Sequence, residues 1–177
     1  DLAYVRAANL PANRLVFDPV AGLFGLVFAA DRGPLADPDV RRALSMAIDR
    51  QQLAAALGVP QLAPRMSLTP PGLNELPIPV SPDWSAAAID ARRQAAIALL
   101  APLGANAKFS VRVAVPDGPG YRLAFAHLRR DWRRIGVDAV RVAADAPADL
   151  RLIDQVAPAD LASWYLRHFT CSVSPVC

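Results

Sequence analysis

Lysine is almost absent from this 177-residue chain: Lys108 is the only one, so arginine carries nearly all of the positive charge. Histidine and cysteine are also scarce, two of each. Neither His127 nor His168 stands beside a carboxylate in sequence, and the chain has no CxxC or HxxxH pair, so no Ser/His/Asp, Cys/His or metal-spaced catalytic arrangement can be read from it. No apolar run reaches the roughly 18 to 20 residues that cross a bilayer; the longest candidate, 22–30, is interrupted by Gly25 and is of strand length. No basic-then-apolar leader opens the chain, which starts at Asp1. The expectation is a cytosolic protein or a sequence that starts inside a longer precursor, with a second boundary in the Ser/Pro-containing run that ends at Cys177. A formal net charge of +3 neither requires a nucleic-acid partner nor forbids an uncharged ligand. What is abundant is alanine, about a fifth of the residues, within a chain that is 54% hydrophobic and 20% charged. That balance excludes disorder and gives one domain with a sizeable core, or two small ones.

The two cysteines, Cys171 and Cys177, are six residues apart among small polar residues. That spacing allows a small disulfide-closed loop in an oxidising compartment, and two free thiols in a reducing one. Zinc held with His127 and His168 is a third reading, without the usual ligand spacing to support it.

Local patterns give an α/β chain. Residues 14–18 and 22–30 read as strands. Asp37-Pro38-Asp39 supplies an N-cap, a proline at the first helical position and a first-turn acid, followed by Val40, Ala43, Leu44, Ala47 and Ile48 at helical spacing. Asp49-Arg50-Gln51-Gln52 has the form of a capping box, so a second helix is expected from Arg50 to Leu57, ended by Gly58. Seven prolines in 58–83 predict a long loop. Helical spacing resumes over 85–101, with Ile89, Ala96, Ile97 and Leu100 on one side. Phe109 to Val115 alternates as a strand, and Tyr121 to Ile135 is the clearest amphipathic helix. Its outer face carries Arg122, Arg129, Arg130, Arg133 and Arg134, with Asp131 interrupting them. This reads as a solvated face, not a nucleic-acid helix, because no base-reading residues interleave the arginines. Strands over 137–142 and 150–154 and a helix over 158–169 complete the chain. Strand, helix, strand through 108–142 is a βαβ unit whose strands run parallel.

The segment from Pro34 to Arg50, PLADPDVRRALSMAIDR, resembles the "D-x-x-V-R-x-A-L-x-x-A-I-D-R" signature of the extracellular solute-binding proteins of family 5, the dipeptide, oligopeptide and nickel binders of ABC importers. Arg41 is placed to pair with a nearby acid such as Asp37. Further matches follow in the family's order: the proline loop of 62–73, the helix of 90–104, and the helix and strand of 126–142. The resemblance spans roughly residues 14–171. Arg92 or Arg93 stands where the family has lysine, and Ala101-Pro102-Leu103-Gly104 replaces its usual helix end.

The resemblance implies one partial lobe, 1–177, of a two-lobe protein with a type II periplasmic-binding-protein-like fold: a mixed sheet flanked by helices, containing the βαβ unit and the loop 58–83. The missing N-terminal lobe would complete the cleft. The implied function is capture of a small solute, a peptide above all, in the periplasm for an ABC permease of the inner membrane, with no enzyme activity, cofactor, metal or nucleic acid. A ligand-sensing domain of a regulator, or a small enzyme, built on the same lobe is the alternative. Carried onto this sequence, Asp160 aligns with the aspartate that holds a peptide ammonium, although Leu161 and Ala162 replace the Pro-Asp that follows it in the family. Arg122, next to Tyr121 at the start of a helix, stands where dipeptide binders place a carboxylate-binding arginine. Trp164 and Tyr165 are candidates for apolar walls.

Overall fold

The computed structural model describes residues 20–59, 62–73, 78–104, 109–174 and 176. These residues form the strands β1 (Gly22–Phe28), β2 (Ser110–Ala114), β3 (Asp138–Val142) and β4 (Leu150–Val156). The α-helices among them are α1 (Pro38–Ala47), α2 (Arg50–Leu57), α3 (Ile89–Leu100), α4 (Pro119–Arg133) and α5 (Ala162–Leu166). The strands make one mixed sheet in the order β1-β4-β2-β3. β2 is parallel to β3, with Ser110 opposite Asp138 and Ala114 opposite Val142. It is also parallel to β4 through Val113–Leu150 and Ala114–Arg151. The expected βαβ unit is therefore β2-α4-β3. β1 closes the other edge antiparallel to β4, from Gly22 opposite Val156 to Phe28 opposite Leu150. Gly22 permits this approach, because a Cβ there would sit 2.5 Å from the carbonyl oxygen of Gln155. The pairing carries β4 two residues beyond its expected end at Asp154. The strand expected over 14–18 lies outside the described residues.

Alternating residues Val111, Val113, Ala139 and Leu150 face one side of the sheet. There they pack against Val40, Leu44 and Ala47 of α1, Ala96 of α3, and Leu128 and Trp132 of α4. Trp132 is fully buried, and its indole N–H donates to the Leu44 carbonyl at 2.9 Å, so the ring adds apolar area without an orphaned donor.

The helix starts follow the local chemistry. Asp37 accepts the Asp39 N–H at 2.8 Å and opens α1. Arg41, expected to pair with Asp37, instead donates to the carbonyls of Leu35 at 2.7 Å and Ala36 at 3.0 Å. Those carbonyls end a short 3-10 turn, Gly33–Ala36, and have no helical partner of their own. Asp49 accepts the Gln52 N–H at 2.9 Å and opens α2, which stops at Gly58 with φ of +61°. Only half of the expected capping box forms. The Asp49 N–H donates to Asp131 Oδ2 at 2.9 Å, because a carboxylate is a stronger acceptor than the Gln52 amide, which takes Arg130 instead.

Asp131 corrects the sequence reading most. It was placed among the outward arginines, but it is fully buried, with Oδ1 on Arg93 Nη2 at 2.9 Å and on Arg130 Nη2 at 3.2 Å. Arg93 also donates to the Ala47 carbonyl at 3.3 Å. The inward face of α3 is therefore Arg92, Arg93 and Ala96, while Ile97, expected to face inward, is 43% exposed. α3 begins at Ile89, not Ser85, because residues 82–87 are taken by turns. In these the Ser85 N–H meets the Pro82 carbonyl and the Ala87 N–H the Trp84 carbonyl. Asp83 anchors that turn by bidentate contact with Arg42, at 2.7 and 2.8 Å.

The described residues of 58–83 form no helix and no strand beyond a single bridge at Leu73. The final helix is shorter than the expected 158–169: α5 spans Ala162–Leu166 and continues as a 3-10 turn, Arg167–Phe169. The sheet ladder wins over helix formation here. The Ala157 N–H still donates to the Ala21 carbonyl, and Leu161 N–H then closes a tight turn onto Ala159, with Asp160 at its tip.

Candidate functional site

β2, β3 and β4 run in one direction, so their C-terminal ends share an edge of the sheet, the place where open α/β sheets hold ligands. Three segments meet this edge: the turn after β2 that starts α4, the end of β3, and the chain leaving β4. Tyr121, in the first turn of α4, donates its hydroxyl to Asp154 Oδ2 on β4 at 2.7 Å. That hydrogen bond, then partial burial and the Asp154 charge, raise the Tyr121 pKa above its ordinary value. The phenol stays protonated and the carboxylate stays oriented. Arg122, one residue along, is exposed and has no carboxylate partner among the described residues. Asp160 is likewise exposed and lies ahead of α5, whose first turn contains no acid. The helix expected over 158–169 would put Asp160 in its first turn, where it could serve as a helix acid; α5 starts two residues after it. Arg141 on β3 reaches the same edge, donating to the Pro116 carbonyl and to Asp117.

Tyr121 and Asp154 are thus joined at this edge by a hydrogen bond, Arg122 follows Tyr121 on α4, and Asp160 lies in the turn after β4. The sequence reading takes Asp154 only as the end of a strand; the signal is an exposed acid on the same face of β4 as Leu150 and Leu152, opposite Phe24. Trp164 and Tyr165 lie on α5, beyond the end of β4. Both are buried, in a cluster with Leu73 and Ala162 against Leu23, Leu68 and Ala157. Their rings meet edge to face with centroids 4.9 Å apart, and the Arg65 guanidinium stands 5.9 Å from the Tyr165 ring. They form a small core within the described residues.

Between β1–β4 and α2 a cavity of about 650 Å³ opens, walled by Leu26, Leu53, Leu128 and Leu152 and bearing Arg50, Arg65 and Asp154 as its charged groups. The outer face of α4 is not a free basic stripe. Arg129 and Arg133 both bind Asp138, at 3.1 and 3.0 Å, and Arg130 is held by Asp131 and Gln52. Among the described residues no three His, Cys, Asp or Glu side chains gather as metal ligands. His127 lies on α4 and His168 in the terminal 3-10 turn; burial, ahead of the nearby arginine in each case, lowers both pKa values. Cys177 lies outside the described residues. No described helix is long and apolar enough to cross a membrane.

Among curated proteins no significant relative is found. Solved structures with similar folds are found. OppA of Burkholderia pseudomallei superposes with a TM-score of 0.77 at 18% identity, covering 87% of this chain and 33% of that one. The murein tripeptide binding protein MppA of Escherichia coli gives a TM-score of 0.70 at 18% identity, with 88% and 33% covered. NikA of Brucella suis, solved with Fe(III)-EDTA, gives a TM-score of 0.65 at 17% identity, with 84% and 34% covered. The chain thus spans about a third of the length of these structures. The family model for the middle region of the bacterial extracellular solute-binding proteins, family 5, matches residues 3–166. With the sheet order, the βαβ unit and the helix pair broken at Asp49 in place, the chain belongs to the family 5 bacterial extracellular solute-binding proteins.

Proposed function

We propose that this chain is a partial lobe of a two-lobe periplasmic receptor that captures a small solute, a peptide, and delivers it to an ABC permease of the inner membrane. The observation that carries the reading is the family match over 3–166, with charged groups of both signs on the C-terminal edge of the parallel strands. A peptide needs both. Its carboxylate would meet Arg122 at the start of α4, where the helix end and the guanidinium favour an anion. Its ammonium would meet Asp160 in the turn after β4, with the Tyr121–Asp154 pair as a fixed polar wall beside it. The missing N-terminal lobe would close over this edge and exclude water from those charges. The lobe performs no chemistry on its ligand.

The test is calorimetry on the full-length protein with di- and tripeptides, and with the same peptides N-acetylated. Asp160→Ala is expected to weaken binding of free-amine peptides by the roughly 2 to 5 kcal/mol that truncating a desolvated charge pair costs, with little change in melting temperature. Affinity unchanged within about threefold would remove Asp160 from the site. Equal affinity for blocked and free peptides would point to a ligand without a free amine, such as a chelated metal.

A further inference from the structure

Arg50 and Arg92 share one indole ring. The guanidinium carbon of Arg50 lies 5.7 Å, and that of Arg92 5.8 Å, from the Trp84 ring centroid. Unlike Arg42, Arg93, Arg112 and Arg129, neither has a carboxylate partner among the described residues. Arg50 donates to the carbonyl and the hydroxyl of Ser45, both at 2.9 Å, which are neutral acceptors. Arg92 is 5% exposed, yet among the described residues its only acceptor contact is the weak one from Nη1 to Met66 Sδ at 3.9 Å, and its buried Nε has no acceptor there. Burial, and then the charge of Arg92, bring the Arg50 pKa down to about 10, so both groups remain cationic at neutral pH. Burial lowers the Arg92 pKa against the opposing Asp49 charge, and that carboxylate is already engaged as the cap of α2.

Two like charges close to one ring, one of them almost wholly buried and with an orphaned donor, are an incomplete arrangement. Ring faces attract guanidinium groups, but they do not neutralise them or accept in-plane hydrogen bonds. Buried charges in proteins are otherwise paired. Arg50 also lines the cavity between β1–β4 and α2, together with Ser45, Ser67 and Arg65, which gives an anion a route from solvent.

We infer that the Arg50–Trp84–Arg92 cluster is an oxyanion site, in which a carboxylate or phosphate group accepts hydrogen bonds from Arg92 Nε and the remaining donors of Arg50. This site is separate from the peptide-binding edge and does not depend on that reading. Two sources share the chemistry. One is a dissolved oxyanion; the other is an acidic side chain from polypeptide beyond these residues, since the chain spans about a third of its structural relatives.

The experiment is a titration of the chain with sodium phosphate against sodium chloride at matched ionic strength, following the Arg92 Nε–H resonance and the thermal midpoint. A saturable shift with phosphate alone is expected. Arg92→Met and, as a milder second variant, Arg50→Gln should each weaken phosphate binding by about tenfold or more. In the full-length protein, a resonance already at its bound position, and indifferent to phosphate, would identify an intramolecular carboxylate as the occupant. A response equal in chloride, a response without saturation, or one surviving both substitutions would overturn the site. So would a full-length protein whose resonance neither moves nor sits at the bound position.

Discussion

Asp131 and Arg93 show how one buried contact organises three helices. The carboxylate is fully buried and is reached by Arg93 from α3, Arg130 from α4 and the Asp49 N–H at the α1–α2 break. Removing its charge leaves the buried Arg93 guanidinium with only the exposed Asp90 carboxylate, 3.8 Å away, and the Ala47 carbonyl, so Asp131→Asn should lose about 3 to 5 kcal/mol of stability in urea unfolding. Asp131→Leu combined with Arg93→Met should recover part of that loss, since it strands neither of those two charges, although the Asp49 N–H and Arg130 lose their acceptor. A second carboxylate, Asp138, behaves differently because it is half exposed. Hydrogen bonds from Arg129 and then Arg133 lower its pKa from 3.8 to about 2. A depressed carboxylate pKa contributes stability that is fully present above pH 3.8 and is lost as the pH falls toward 2. NMR titration of the Asp138 carboxyl should find its midpoint near 2, rising toward 3.8 in Arg129→Gln/Arg133→Gln. Neither partnership was legible in the sequence. Asp131 and Arg93 are 38 residues apart, and nothing in the local arginine pattern separates an interrupting acid from a buried one.

Elements whose determinants are local were legible, and elements settled by distant partners were not. The caps Asp37 and Asp49, the stop at Gly58 and the strands over 110–114 and 138–142 are fixed by residues within one turn or one alternation of their own positions. Helix α5 came out shorter than its pattern because a ladder bond to Ala21, more than 130 residues earlier, keeps the chain extended through Ala157. For the same reason the candidate edge was only partly readable: Arg122 and Asp160 were reached through the resemblance, whereas Asp154 enters through a hydroxyl 33 residues away. The local cases make the cleaner forecasts. Asp49→Ala removes the acceptor for the Gln52 N–H and should destabilise the chain by about 1 kcal/mol in urea unfolding. The Asp131 bond to the Asp49 backbone should survive that substitution, because it uses the main-chain N–H. A loss as large as that of Asp131→Asn would mean that the side chain of Asp49, and not its N–H, holds the helix break together.

A helix layer covers one face of the sheet, and on the proposed reading this lobe supplies only one side of the peptide site. In the periplasm Cys171 and Cys177 are expected to form a disulfide, which mass measurement before and after reduction would register; two free thiols in exported protein would withdraw that support for an oxidising compartment. The binding consequence is sharper. A peptide laid on this edge alone would leave its other side in water, where Arg122 and Asp160 attract its termini only through a high dielectric, an interaction on the order of 1 kcal/mol per contact pair. Association itself costs several times that in lost translational and rotational freedom. The isolated chain should therefore fold, with one cooperative urea transition, and show no heat of binding with di- or tripeptides at micromolar concentrations. The full-length receptor should bind them, and its affinity should fall with Asp160→Ala. Sub-micromolar binding by the chain alone would place the ligand inside this lobe, in the cavity between β1–β4 and α2. It would then be Arg65 and Asp154, the charges of that cavity nearest the sheet edge, whose substitution abolishes binding.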